Sequence, residues 1–292
     1  MLMAVPNVSE GVSKATLDAI CEAFEPARVL DIHSDVDHNR AVFTLASEQG
    51  RLAAELANGT FVAHQHVSLE HNSGVHPHVG AVDVVPVVYL RPEDRGAACA
   101  EALVTAHLIA ERCATPVFLY GELAGGRERA ELREGGLHGL AARMADGQHS
   151  PDFGPKSISH EVGATLVSAR PPMVAFNLVL SETESLERSK QIAAELRESG
   201  GGLPGVRAIG LWLDGQARAQ VSCNIHDPFA VPLAEVVAFV RERAAVESSE
   251  LVGLAPRAAI EGFPEDVRWL DFDPARHVVE NVLGDEGVYG SR

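Results

Sequence analysis

Seven of the 13 histidines fall between His33 and His78, a bunching that invites a proton-transfer site. The densest piece reads His71-Asn-Ser-Gly-Val-His76-Pro-His78-Val-Gly80-Ala-Val-Asp83, where glycines and a proline bring imidazoles onto a turn at the entrance of a strand. Free imidazole titrates near pH ~6.5, so a histidine held there takes and returns a proton at working pH. A second piece, Asp31-Ile-His33-Ser-Asp35-Val-Asp37-His38-Asn39-Arg40, lies at the crossing from one strand to the next. Its alternating carboxylates suit either fixing a histidine tautomer or binding a cation, and the same aspartates also suit plain turn formation. His64 and His66 end a helical pattern, where histidine commonly meets unpaired carbonyls. His33, His38 and His71 have solvated loop positions as their bland alternative. The two HxH pairs, His64/His66 and His76/His78, have the alternation of strand ligands, yet a proline splits the second and no HExxH accompanies either, so no metal is expected.

The composition limits what such a site can serve. A net charge of −17 over 292 residues argues against nucleic acid as a partner, since phosphate tracking needs a basic face. No apolar run reaches membrane-spanning length and the N-terminus has no basic n-region, so no membrane association and a cytoplasmic location are expected. The four cysteines, Cys21, Cys99, Cys113 and Cys223, are far apart with no CxxC pair and are expected to be buried, inert thiols. GxGxxG, GxxxxGK and GxSxG are all absent, which removes phosphate-loop and nucleophile-elbow chemistry.

The elements that must position these residues are read from periodicity. In the C-terminal half, strand 173–180, helix 183–198, strands 206–213 and 217–224 around Asp214-Gly215, helix 232–246 and strand 250–254 follow one another in the order βαββαβ. That order is the split βαβ, or ferredoxin-like, unit. The N-terminal half gives the same order with strands 2–6, 28–32, 41–45 and 82–88 and helices 13–24 and 50–67, then adds a helix at 94–113, a strand at 115–120 and helical pieces over 127–144. The expected architecture is therefore α+β: two tandem ferredoxin-like subdomains, residues 1–172 and 173–292, the first extended by extra helices and a strand. Residues 147–160, with Pro151, Gly154 and Pro155, read as a loop of the kind on which sites are built.

Several longer motifs occur in a fixed order. They are Val5-Pro6-Asn7-Val8-Ser9-Glu10-Gly11, Asp37-His38-Asn39-Arg40, His76-Pro77-His78-Val79-Gly80-Ala81-Val82-Asp83, Tyr120-Gly121-Glu122, Pro151-Asp152-Phe153-Gly154-Pro155, Gly163-Ala164-Thr165, Ala175-Phe176-Asn177, Ala219-Gln220-Val221-Ser222 and Leu251-Val252-Gly253-Leu254. Together, from about residue 4 to residue 256, they resemble the glutamate formimidoyltransferase (formiminotransferase) family, without the cyclodeaminase domain fused to it in animals.

The resemblance implies two ferredoxin-like subdomains, transfer of a formimino group from N-formiminoglutamate to N5 of tetrahydrofolate as co-substrate, a role in histidine breakdown, and a homodimer. It implies that His76 is the acid/base residue and that the folate stretch runs from Gly154 to Gly163, including Pro155, Lys156 and Ser157. Asn39, Arg40, His78, Gly80 and Arg170 are expected to meet the substrates. Because both substrates carry carboxylates, Arg40, Lys156 and Arg170 are expected to converge on a locally positive cleft between the subdomains. Three places depart from the family pattern: His78 stands where arginine is usual, Val162 where an aromatic is usual, and Ser168-Ala169-Arg170-Pro171-Pro172 where GAR, a further residue and then an aliphatic pair are usual. His76 rather than His78 is expected to move the proton, because Pro77 biases residue 76 to an extended backbone that can project its ring from the sheet edge. Two imidazoliums so close disfavour each other, keeping one neutral, and Asp35, Asp37 or Asp83 is the expected tautomer partner.

Overall fold

The computed structural model describes residues 1–72, 77–284 and 288–289. The chain divides into two compact units, Met1–Pro171 and Pro172–Arg292. In the first, the order is β1 (Leu2–Ala4), β2 (Asn7–Val8), α1 (Lys14–Ala23), β3 (Arg28–Asp35), β4 (Arg40–Ser47), α2 (Leu52–His66), β5 (Val82–Val88), α3 (Arg95–Cys113), β6 (Val117–Leu119), α4 (Arg129–Arg133), α5 (Gly136–Ala145) and β7 (Thr165–Arg170). β1 and β2 follow each other in the gap between β4 and β5, antiparallel to both, and β3 pairs β4 at the outer edge.

Beyond β5 the sheet continues with β7 and then β6, both parallel to it in direction. The extension therefore holds two strands where the sequence reading expected one. The five leading residues of β7 are buried. An inner parallel strand covered on both faces lacks the polar/apolar alternation by which strands are recognised.

Alternation across the pleat sorts the side chains of this sheet into two sets. Phe43, Val85, Leu119 and Val167 face the core shared with Ile20 of α1, Leu56 of α2 and Ile109 of α3. Val84, Phe118, Tyr120 and Leu166 face the other way and pack with Leu132 of α4 and with Leu140 and Met144 of α5. The start of α2 has no side-chain cap of its own. Buried Glu101 of α3 supplies it, accepting from Gly50 N at 2.8 Å and Ala53 N at 2.7 Å, a carboxylate placed where the helix dipole favours one.

The second unit runs β8 (Val174–Leu180), α6 (Leu186–Leu196), β9 (Val206–Leu213), β10 (Arg218–Ile225), α7 (Leu233–Arg241), β11 (Val246–Val252), α8 (Arg257–Ile260), β12 (Arg268–Leu270), α9 (Pro274–His277) and α10 (Val279–Leu283). Its sheet order is β12, β11, β8, β10, β9, antiparallel except for β12 on β11. Gly210 makes the packing of α6 on β9 possible: a Cβ there would lie 2.3 Å from Lys190 N.

Three details differ from the sequence reading. α7 stops at Arg241 and β11 begins at Val246, because Ala244 packs into the core from the connection rather than from a helix face. In the β9–β10 turn the left-handed residue is Ala217 (φ 51°), not Gly215, so the connection is longer than a two-residue hairpin loop. Cys223 is buried, with its thiol pushed up to about 12 by burial, whereas Cys21, Cys99 and Cys113 are half-buried. Among the described residues no helix is long and apolar enough to cross a membrane.

Candidate active site

His76 lies outside the described residues, and the chain that follows it closes a turn onto β5. Val79 N donates to Asp83 Oδ1 at 2.9 Å, and Asp83, 2% exposed, forms an ion pair through its other oxygen with Arg133 of α4. Half-buried His78 sits at the head of this closed turn. Gly80 bridges Gly163, and Ser9 Oγ donates to Gly80 O at 2.8 Å. A Cβ on Gly80 would stand 2.0 Å from Ala164 O, and one on Gly163 (φ 74°) 2.0 Å from Val79 O. Both glycines are thus required by two backbones crossing in contact. Gly80→Ala is expected to cost about 1–3 kcal/mol by overpacking, read as a lower urea midpoint with an unchanged slope. An unchanged midpoint would mean that the crossing can open freely.

The turn before β4 is built by the predicted polar residues. Asp35 Oδ1 accepts from His38 N at 2.7 Å, and Asn39, in the left-handed region at φ 43°, accepts from Gly11 N at 2.9 Å. Asp35 and Asn39 thereby set the register in which Arg40 enters β4; Asp37 is half-buried in the same turn. Asn and Asp suit this task because their short side chains bond nearby backbone and tolerate positive φ.

Arg40 extends over the α4/α5 side of the sheet, as do Ser168 and Arg170 of β7 by their register with Leu166. Burial pushes the Arg40 guanidinium down to about 9, helped by Arg133 and Arg129 and opposed by Asp83 and Tyr120. Burial likewise pushes Arg170 down to about 10, with Tyr120 opposing and Arg129 adding to it. Both remain cations at neutral pH. Arg129 stands over the Tyr120 ring at 5.6 Å, and the Tyr120 backbone carbonyl accepts from Ser168 Oγ at 2.7 Å. Arg40 and Arg133 therefore lie close to one buried aspartate, and Arg129 lies close to both Arg40 and Arg170, a crowding of like charges that burial makes costly. The sequence reading missed Arg129 and Arg133; their four-residue spacing in the helical piece over 127–144 puts them on one face, which was the available signal.

Lys156 lies on the loop that leads to Gly163. It is exposed, with Ser157, on the loop whose anchor is Gly154 (φ 84°), where a Cβ would lie 2.4 Å from Thr115 O. Asp152 secures the loop start by accepting from Leu119 N at 2.7 Å and pairing with Arg127, and Pro155 is half-buried. The structure thus brings Arg40 and Arg170 to common neighbours, Arg129 and Tyr120. Among the described residues no group of three or more His, Cys, Asp or Glu side chains is placed to hold a metal ion.

Comparison with known proteins matches both halves of the chain. Residues 1–170 match the model of the formiminotransferase domain, N-terminal subdomain, and residues 175–262 that of the formiminotransferase domain. The chain is 31% identical to glutamate formimidoyltransferase of Streptococcus pyogenes over 96% of this chain and 97% of that protein. It is 29% identical to that of Thermoplasma acidophilum over 89% of each. Against formimidoyltransferase-cyclodeaminase of Sus scrofa it is 34% identical over 89% of this chain but only 51% of that protein, so it spans about half of that relative. With both halves matched and the bacterial relative covered almost end to end, the chain belongs to the formiminotransferase family of transferases.

Proposed function

We propose that this protein transfers the formimino group of N-formiminoglutamate to N5 of tetrahydrofolate and releases glutamate. The observation that carries the reading is the arginine-rich surface of the first unit, joined through the Arg133–Asp83 pair to the turn that follows His76. An acidic chain that concentrates half-buried cations at one place suits ligands with carboxylates. In the reaction N5 bonds to the amidine carbon and loses a proton to His76; the bond from that carbon to the glutamate nitrogen then breaks as His76 returns the proton to the leaving amine. Proton transfer of this kind is typically worth about 10²- to 10⁴-fold.

Asn39, Arg40, His78, Gly80 and Arg170 border the donor in this reading, and the 154–163 stretch borders the folate. Within that stretch exposed Lys156 and Ser157 offer side chains, while Gly154, Pro155 and Gly163 shape the backbone. Both units are read as ferredoxin-like modules of a cytoplasmic homodimer, whose mass sedimentation would test.

The decisive assay supplies formiminoglutamate and tetrahydrofolate to the purified chain and follows glutamate release, with calorimetric binding of each ligand alongside. Turnover that requires both substrates supports the proposal. Glutamate release without folate would point to a hydrolase on the same fold, and binding without turnover to a ligand-binding protein. His78→Arg, which restores the residue usual in the family, is expected to preserve or raise kcat/KM; a loss beyond tenfold would show that His78 has a task arginine cannot perform.

A further inference from the structure

The Tyr120 hydroxyl is buried and has no hydrogen-bond partner among the described residues, although the residue is only 6% exposed. Leaving a phenol so placed unsatisfied costs free energy, so such an atom calls for a ligand. Its surroundings say which kind. Arg129 stacks over its ring, and Arg129 and Tyr120 are the two groups felt by both Arg40 and Arg170. Tyr120 follows β6 directly and is tied to Ser168, two residues before Arg170 on the same side of β7. The nearby carboxylate, Asp83, already accepts from Val79 N and pairs with Arg133. A hydroxyl donor among several guanidinium groups matches an anion with planar oxygens, and the fork of arginine fits a carboxylate.

We infer that Tyr120 and Arg129, together with Arg40 and Arg170, bind a carboxylate of a glutamate-type dicarboxylate, making Tyr120 and Arg129 specificity-determining residues. The inference rests on the donor and acceptor proposed above, both of which carry a glutamyl group. It extends that reading to two residues outside the expected site set, one of them in a helix that carries none of the family motifs.

The test compares wild type with Tyr120→Phe and Arg129→Met, using Lys14→Met, an exposed charge paired with Asp18, as control. KM for formiminoglutamate and for tetrahydrofolate is measured separately, with calorimetric titration of glutamate and of 4-aminobenzoylglutamate. Each variant is expected to raise one KM about ten- to hundredfold, with kcat changed less than threefold and the melting temperature held within a few degrees. A rise for the donor and for glutamate assigns the cluster to the donor; a rise for tetrahydrofolate and for aminobenzoylglutamate assigns it to the glutamyl end of the folate. If neither constant moves in the folded Tyr120→Phe protein, the inference is overturned. If wild type shows no transfer yet binds glutamate, and the two variants lose that binding, the carboxylate site stands and the proposed reaction fails.

Discussion

His76→Asn is expected to lower kcat by about 10²- to 10⁴-fold while leaving KM for both substrates within a factor of a few. Asparagine keeps a polar side chain of similar reach but can neither accept the N5 proton nor deliver it to the departing amine. The loss therefore falls on the chemical step and not on ground-state binding. Steady-state kinetics with both substrates varied checks it, and calorimetric binding separates a dead catalyst from a protein that no longer binds. The pH profile of kcat/KM adds a second reading: the limb that reports the histidine should vanish in the variant. A His76→Asn enzyme retaining turnover within tenfold of wild type would remove His76 from the mechanism and leave His78 as the nearest imidazole in sequence.

The second large effect is expected at Arg133. Asp83 is almost wholly enclosed, and Arg133 is its ion-pair partner. Arg133→Met removes the ion-pair partner of a buried carboxylate and leaves the nearby Arg40 to offset its charge in part, a change expected to cost up to about 3–5 kcal/mol, the range seen when one member of a buried pair is removed. Domains are stable by only about 5–15 kcal/mol, so this is a large share of the total. Activity should fall with stability, because the same carboxylate holds Val79 N and with it the turn after His76. Arg133→Lys should recover part of the loss, keeping the charge without the fork. The double variant Arg133→Met with Asp83→Asn should be more stable than Arg133→Met alone, since the uncompensated charge is gone. Urea denaturation of wild type, Arg133→Met, Asp83→Asn and the double variant closes the cycle; additive losses would mean that the two side chains do not depend on each other.

Much of the fold can be read from periodicity. The order βαββαβ can be read in both halves because helices such as α6 carry a helical period and strands such as β9 open with alternating buried and exposed residues. What escaped that reading has a common cause. β7 is covered on both faces, so its burial erases the alternation that would mark it, and β12 is three residues long. The β9–β10 turn falls where Asp214-Gly215 signals it, with Leu213 paired to Arg218 across it.

For the site, residue types and motifs alone singled out Arg40, Asp83, Gly80, Gly163 and Arg170, each embedded in a run long enough to be recognised. Their tasks were not legible. Gly80 and Gly163 meet only because two segments 83 residues apart, counted from Val82 to Thr165, are brought together by the Thr165 Oγ1 to Val82 O bond and its neighbours. Asp83, a candidate tautomer partner by sequence, is engaged by a backbone amide and by Arg133 from a helix with no motif of its own. Sequence by itself determined the family, the order of elements and the chemical types available, because those depend on local pattern and residue identity. Only the tertiary structure decided which charges share a low-dielectric space, since the pairing of Asp83 with Arg133 and the gathering of Arg129, Tyr120, Arg40 and Arg170 depend on long-range packing of α4 against one side of a sheet, and no local spacing encodes that.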